Sequence, residues 1–258
     1  MIGVGITTYG RPAAYHRTLA VLMDTGVPMV VYVRQDGGER YVHDFRVGEH
    51  FRVETDRAPV NFGKKRYWQT VKRLWGLVPK AEDITIWIQL PDDFEYKDGW
   101  LDQALKKFES LPTSKTRGRV MNLLTDHRME TGNWGLKPRL ISSSLYDSCF
   151  VDGAFMADRA AMDKTGWTIQ PIEEDRWDDN EELGSGVWSQ VTRTWMRRKI
   201  PIYCWKNRYI TTDWSSEKSV MNPSRDDDKI IRGASRSVPA KRARKRSYRK
   251  GMGSRRFL

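Results

Sequence analysis

Residues 84–95, Ile-Thr-Ile-Trp-Ile-Gln-Leu-Pro-Asp-Asp-Phe-Glu, set a run of β-branched and aromatic side chains directly against a cluster of carboxylates. Ile84, Ile86 and Ile88 alternate with Thr85, Trp87 and Gln89, yet neither face is strongly polar. That pattern predicts a short strand over residues 84–89, buried on both faces of an α/β sheet, with Pro91 ending it. In open α/β sheets ligands collect beyond the carboxyl ends of strands, so Asp92, Asp93 and Glu95 fall where hard oxygen donors hold Mg²⁺ or Mn²⁺. The same Pro-Asp-Asp also suits a polar turn or a helix cap, and the residue types alone leave both readings open.

Residues 2–9 read as a first strand that leads through Gly10-Arg11-Pro12 into a helix over residues 13–24, with Pro12 suited to the first helical turn. Gly3 and Gly5 lie inside the strand instead of in the turn after it, which excludes a dinucleotide fingerprint. Residues 28–34 form a second expected strand ending on Gln35-Asp36-Gly37-Gly38, and residues 51–54 a short third. Residues 61–66 precede a helix with Tyr67, Val71, Leu74 and Trp75 on one face and Lys64, Arg66 and Lys72 mostly elsewhere. Strands alternating with helices from residue 2 to 110 predict a mostly parallel, Rossmann-like sheet flanked by helices. Polar residues gather at one edge of it: Thr7, Thr8, Tyr9 and Arg11 after the first strand, Asp36 after the second, residues 61–65 after the third, and residues 92–95 after the fourth. Such convergence is what a nucleotide pocket requires.

Charge is unevenly spread. The chain carries a net charge of +12, and from Lys229 to the end there are twelve Lys and Arg and no Asp or Glu. The whole excess therefore lies in the tail, 229–258, and residues 1–228 are balanced. The tail lacks the apolar residues needed to fold alone, and like charges keep such a run extended until a polyanion neutralises it. A nucleic-acid backbone suits that part, because each Lys or Arg near a phosphate releases condensed counterions; an anionic membrane surface or a localisation signal is the alternative. No apolar run is long enough to span a bilayer and no basic leader opens the chain, so a soluble protein is expected. Cys149 and Cys204 are read as reduced thiols of a cytoplasmic protein, and His16, His43, His50 and His127 match no zinc spacing.

The order Ile-Thr-Thr-Tyr-Gly-Arg-Pro, Gln-Asp-Gly-Gly, Asn-Phe-Gly and Pro-Asp-Asp-Phe resembles the nucleotide-sugar half of glycosyltransferases with the GT-A fold, and in particular their family 2-like members. The resemblance covers nearly the first 100 residues and extends more weakly to about residue 225. It implies that Thr7, Tyr9, Arg11 and Asp36 line a uracil site, that Asn61, Gly63 and Lys64 meet the ribose or pyrophosphate of a UDP-sugar, that Thr8 and Asp92 also belong to the donor-binding site, and that Asp93 binds Mn²⁺ or Mg²⁺. The first acid of the family's Asp-x-Asp motif is replaced by Pro91, leaving a shortened version. The segment Phe-Val-Asp-Gly-Ala-Phe at 150–155 resembles the part that packs on the donor sugar, which implicates Asp152 and Gly153. Glu181 and Glu182, in the acidic block 173–182, lie nearest the junction that carries the general base in inverting members. Asp213 stands where the family often has a His as its last metal ligand.

These readings give an expected GT-A-like domain over residues 1–228, with a nucleotide half (1–100) and an acceptor half (101–228), followed by the basic tail. The expected activity is a metal-dependent transfer of a sugar from a UDP-sugar to 5-hydroxymethylcytosine or 5-hydroxymethyluracil in double-stranded DNA, as in bacteriophages that glycosylate their own genomes. The tail and the active-site face would hold the DNA, with the monomeric protein in the host cytoplasm. Trp134, Trp177 and Trp188 are candidate stacking surfaces for an extruded base. A transferase acting on polysaccharide, lipid or protein is the alternative, and a non-catalytic nucleic-acid-binding protein is a third.

Overall fold

The computed structural model describes residues 1–92, 94–112, 118–124, 138–147, 149–151, 153–172, 186–206 and 209–212. All of them belong to one unit, Met1–Pro223. Its frame is a ten-stranded sheet in the order β3-β4-β2-β1-β5-β10-β7-β11-β9-β8. The strands are β1 (Ile2–Thr8), β2 (Met29–Gln35), β3 (Phe45–Val47), β4 (Phe51–Arg57), β5 (Ile86–Pro91), β7 (Val120–Asn122), β8 (Arg139–Ser142), β9 (Leu145–Asp147), β10 (Phe155–Asp158) and β11 (Ile202–Trp205). A separate two-stranded ladder joins β6 (Phe94–Tyr96) to β12 (Ile210–Thr212). The helices are α1 (Pro12–Asp24), α2 (Tyr67–Gly76), α3 (Trp100–Ser110), α4 (Arg159–Thr165) and α5 (Val187–Arg197).

The sheet is mixed, which corrects the expectation of a mostly parallel one. The block β4-β2-β1-β5 is parallel throughout, with α1 crossing from β1 to β2, α2 from β4 to β5, and the connection that carries β3 from β2 to β4. Beyond it, β10 runs antiparallel to both β5 and β7, and β9 runs antiparallel to β11 and β8.

Helices cover both faces. One core joins Val4, Ile6, Val31 and Val33 to Tyr15, Leu19 and Leu22 of α1 and Leu101, Ala104 and Phe108 of α3. The other joins Val30, Tyr32 and Trp87 to Val71, Leu74 and Trp75 of α2, with Met162 of α4 and Trp195 of α5. Burial on both faces is why β1 and β2 carry no polar residue until their carboxyl ends. The glycines inside β1 have a packing cause: a Cβ at Gly5 would overlap the Trp87 ring on the neighbouring strand, and one at Gly3 would stand 2.8 Å from Ile84. Gln89 seals this region from within β5. It donates to Gly5 O (3.1 Å) and accepts from the indole N–H groups of Trp75 (3.0 Å) and Trp87 (3.4 Å).

Candidate functional site

The carboxyl ends of the parallel strands form one polar edge. Thr7 of β1 pairs in register with Arg34 of β2 and Pro91 of β5, so β5 runs through Pro91 instead of stopping before it. Successive strand residues face opposite sides, and the two threonines use this. Thr7 shares a hydrogen bond with the Tyr67 hydroxyl of α2 (2.9 Å). Thr8, on the other face, donates to Asp92 Oδ2 (2.5 Å) and bonds the Tyr41 hydroxyl (2.7 Å). Arg11 Nη2 forms an ion pair with Asp92 Oδ1.

Three expected site residues thus meet, but inward. Asp92 is fully buried and Arg11 is only 6% exposed. A carboxylate held by a guanidinium and a hydroxyl out of water is a positioning element that ties the loop after β1 to the end of β5. Sequence reasoning gave Asp92 a direct role toward a nucleotide; its burial gives it this internal one.

Asp36 lies one strand over. Its backbone N–H donates to Thr8 O (2.9 Å), and its Oδ1 accepts from Phe62 N–H (3.1 Å). Oδ2 is buried with no hydrogen-bond partner among the described residues. Burial pushes the Asp36 carboxyl above the usual range, against the lowering effects of Phe62 N–H, Thr70 and Arg34. The loop around it is held tightly. Gln35 donates to Gly37 O (2.7 Å) and Glu39 O (2.6 Å) and accepts from Tyr41 N–H (3.2 Å). Gly37 has φ +77°, and a Cβ there would overlap the backbone at Asn61. Asn61 Oδ1 accepts from Gly63 N–H (2.7 Å), closing a turn before the 3₁₀ helix Lys64–Arg66. A Cβ at Gly38 would stand 3.9 Å from the Tyr9 ring. Tyr9, Asp36, Asn61 and Gly63 therefore belong to neighbouring loops.

The second half of the chain adds an aromatic wall. Trp188, in the first turn of α5, is half-buried and packs edge-on against Tyr67 (6.2 Å between centroids) and Phe155 (5.9 Å). Its indole nitrogen stands 3.1 Å from where a Gly153 Cβ would be, and Pro91 lies 3.7 Å from the same point. Gly153 has φ +78°, so both backbone and space demand glycine there.

The ladder between β6 and β12 ends on the pair Phe94 and Thr212. Asp93 precedes Phe94 and Asp213 follows Thr212, so the two expected metal ligands are chain neighbours of one pair; both lie outside the described residues. Asp152, Glu181, Glu182, Trp134, Trp177, the Lys64 side chain and the tail 229–258 also lie outside them. Among the described residues no cluster of three or more His, Cys, Asp or Glu is placed to hold a metal. Cys149 and Cys204 are buried and form no disulfide, and no described helix is long and apolar enough to cross a membrane. The residues that sequence reasoning passed over are Gln35, Tyr41 and Tyr67, whose polar atoms organise the edge from apolar or turn positions.

A mixed sheet with a parallel block, helices on both faces and polar loops at the block's carboxyl edge defines an open-sheet α/β protein. No family model matches the chain, and none of the curated proteins does. Among solved structures it is similar to S. aureus TarS, residues 1–349, with a TM-score of 0.51 and 10% identity over 83% of this chain and 60% of that one. The mannosyltransferase PcManGT from Pyrobaculum calidifontis, in complex with GDP-Man and Mn²⁺, gives 0.47 and 11% over 93% and 65%. An apo UDP-glucose pyrophosphorylase gives 0.47 and 10% over 90% and 100%. The chain spans less than two thirds of the first two, and at such identity the likeness to TarS is one of fold.

Proposed function

We propose that this chain is a glycosyltransferase that takes a sugar from a nucleotide-sugar, with a UDP-sugar as donor and a divalent cation as cofactor. The observation that carries the reading is the single polar edge built from Thr7, Thr8, Tyr9, Arg11, Asp36, Asn61 and Gly63, the residues that the GT-A resemblance implicates. Asp36 is the base-reading group: beside the Phe62 N–H and the Thr70 hydroxyl that favour its carboxylate, it has acceptor capacity for a ring N–H, which uracil has and cytosine lacks. Trp188, Tyr67 and Gly153 form the wall beside the sugar. Asp92 with Arg11 fixes the loop that carries them.

We assign Asp93 and Asp213 to the divalent cation: Asp is a hard oxygen donor, and the β6–β12 register that pairs their chain neighbours Phe94 and Thr212 supports the reading. When bound, that cation neutralises the charge of the departing pyrophosphate. Glu181, Glu182 and Asp152 are the candidates for the proton acceptor. The acceptor is DNA carrying 5-hydroxymethylated pyrimidines, a reading supported by a tail whose twelve cations stand against no acid. Titration calorimetry with UDP, GDP, CDP and Mn²⁺ tests the donor: UDP binds in the presence of Mn²⁺, and Asp36→Asn abolishes it. Equal affinity for CDP, or binding indifferent to Asp36, overturns the assignment.

A further inference from the structure

The six residues from Asp36 to Tyr41 form a loop fixed at both ends on one residue of β1. At its start the Asp36 N–H donates to Thr8 O (2.9 Å), and at its end the Tyr41 hydroxyl bonds Thr8 Oγ1 (2.7 Å). The direction of the second bond follows from its neighbours. A carboxylate only accepts, so Thr8 Oγ1 gives its proton to Asp92 Oδ2 and accepts from Tyr41. Tyr41 Oη in turn accepts from the Arg11 N–H (3.4 Å), and Arg11 Nη2 returns to Asp92 Oδ1. Tyr41, Thr8, Asp92 and Arg11 thus close a ring of hydrogen bonds, and Tyr41 is the member that belongs to the 36–41 loop. Thr8, Arg11 and Asp92 are buried, and burial raises the Tyr41 hydroxyl above its usual pKa, so it holds the proton it donates. Such surroundings strengthen each bond and make a broken one costly.

The middle of the loop needs such a clamp. Gly37 and Gly38 have φ +77° and +74°, and Gly38, Glu39 and Arg40 are exposed. Backbone of this kind gives up much freedom when it is ordered. Gln35 of β2 gathers Gly37 O, Glu39 O and the Tyr41 N–H, which sets the loop's shape. The Tyr41 hydroxyl sets its position against β1 and, through Thr8, against Asp92 beyond β5. We propose that Tyr41 is a positioning residue of the donor site, whose hydroxyl holds the 36–41 loop where Asp36 selects uracil over cytosine. The inference rests on the reading of Asp36 as the base-reading group and deepens it, since selectivity then depends on the clamp as well as on the carboxylate. A group that tells two bases apart has to be held to within about 0.5 Å of its productive place.

The test is titration calorimetry of UDP and of CDP with Mn²⁺ present, on full-length wild type, Tyr41→Phe, Thr8→Val, the double variant and Tyr15→Phe. Tyr15 is the control: its ring centroid lies 5.9 Å from that of Tyr41, and its buried hydroxyl has no hydrogen-bond partner among the described residues. The ratio of the two affinities is the readout, because a variant that only unfolds more readily loses both ligands alike. Tyr41→Phe keeps the ring and lowers the preference for UDP roughly 2- to 12-fold, the worth of about one hydrogen bond. Thr8→Val lowers it as well, the double variant lowers it no further than Thr8→Val alone, and Tyr15→Phe leaves it at the wild-type value. A Tyr41→Phe protein that melts lower but keeps the wild-type ratio overturns the positioning role and leaves the donor reading standing. An equal loss in Tyr15→Phe, or additive losses in the double variant, does the same. No preference for UDP in the wild type removes the base reading of Asp36, and this inference with it.

Discussion

Replacing Asp92 by Ala is the most informative single change, because the structure and the motif assign the residue different work. Asp92 is fully buried, paired with Arg11 and accepting from Thr8 at 2.5 Å. Its removal leaves a guanidinium that is 6% exposed without its carboxylate. Breaking a buried pair in this way costs about 3–5 kcal/mol. For a unit of this size about 2–4 °C of Tm accompany each kcal/mol, so a fall on the order of 6–20 °C follows. Removing both charges by Arg11→Met/Asp92→Leu recovers most of the loss, since a well-packed apolar pair avoids the desolvation of two ions. Urea and thermal unfolding read both variants. If Asp92→Ala unfolds within about 0.5 kcal/mol of wild type, the range of an ordinary surface change, yet binds no donor, Asp92 is a solvated ligand and the reasoning fails.

Three other changes probe the frame and the base-reading group. Gly5→Ala forces a methyl into the Trp87 ring and costs about 1–3 kcal/mol, so unfolding at the wild-type midpoint would contradict the packing described for β1. Gln89→Leu leaves the indole N–H groups of Trp75 and Trp87 without their acceptor, at about 1–3 kcal/mol each; a neutral outcome in urea would mean that neither bond matters. The Asp36 pKa is raised in the folded state, so the carboxyl favours folding below its unfolded value near 3.9 and loses that contribution as pH rises through the folded value. Asp36→Asn therefore gains stability relative to wild type at about pH 7 and little at about pH 4. A gain confined to the acid side would refute the burial argument.

Where side-chain period and turn chemistry agree, the sequence is a reliable guide to this fold. Pro12 opens α1 at its first turn, and the apolar face of α2 is the one that packs. β3 was overlooked because Phe45, Arg46 and Val47 are all exposed at the sheet edge and so show no alternation. The antiparallel insertion of β10 was equally hidden: strand propensity says nothing of direction, and nothing local in residues 111–155 reveals which strands become neighbours. Pro91 extends β5 because it is the strand's last residue, with only Thr7 opposite.

At the site, the turn residues Asp36, Asn61 and Gly63 were legible as such. The carboxylates were harder to sort, since Asp36 and Asp92 look alike in sequence. Burial with Arg11 separates one from the other. The hydroxyls of Tyr41 and Tyr67 sit on side chains that the apolar pattern counts as core, so their bonds to Thr8 and Thr7 required coordinates.

Nucleoside mass analysis reads sugar transfer to modified DNA at the modified base itself. Duplexes containing 5-hydroxymethylcytosine or 5-hydroxymethyluracil are incubated with the full chain, Mn²⁺ and a panel of UDP-sugars. The expected result is a mass gain of one sugar on the modified base, lost with Asp93→Ala and on removal of the metal by chelation. Unmodified DNA from every donor, by a protein that binds UDP and Mn²⁺, would contradict the acceptor assignment.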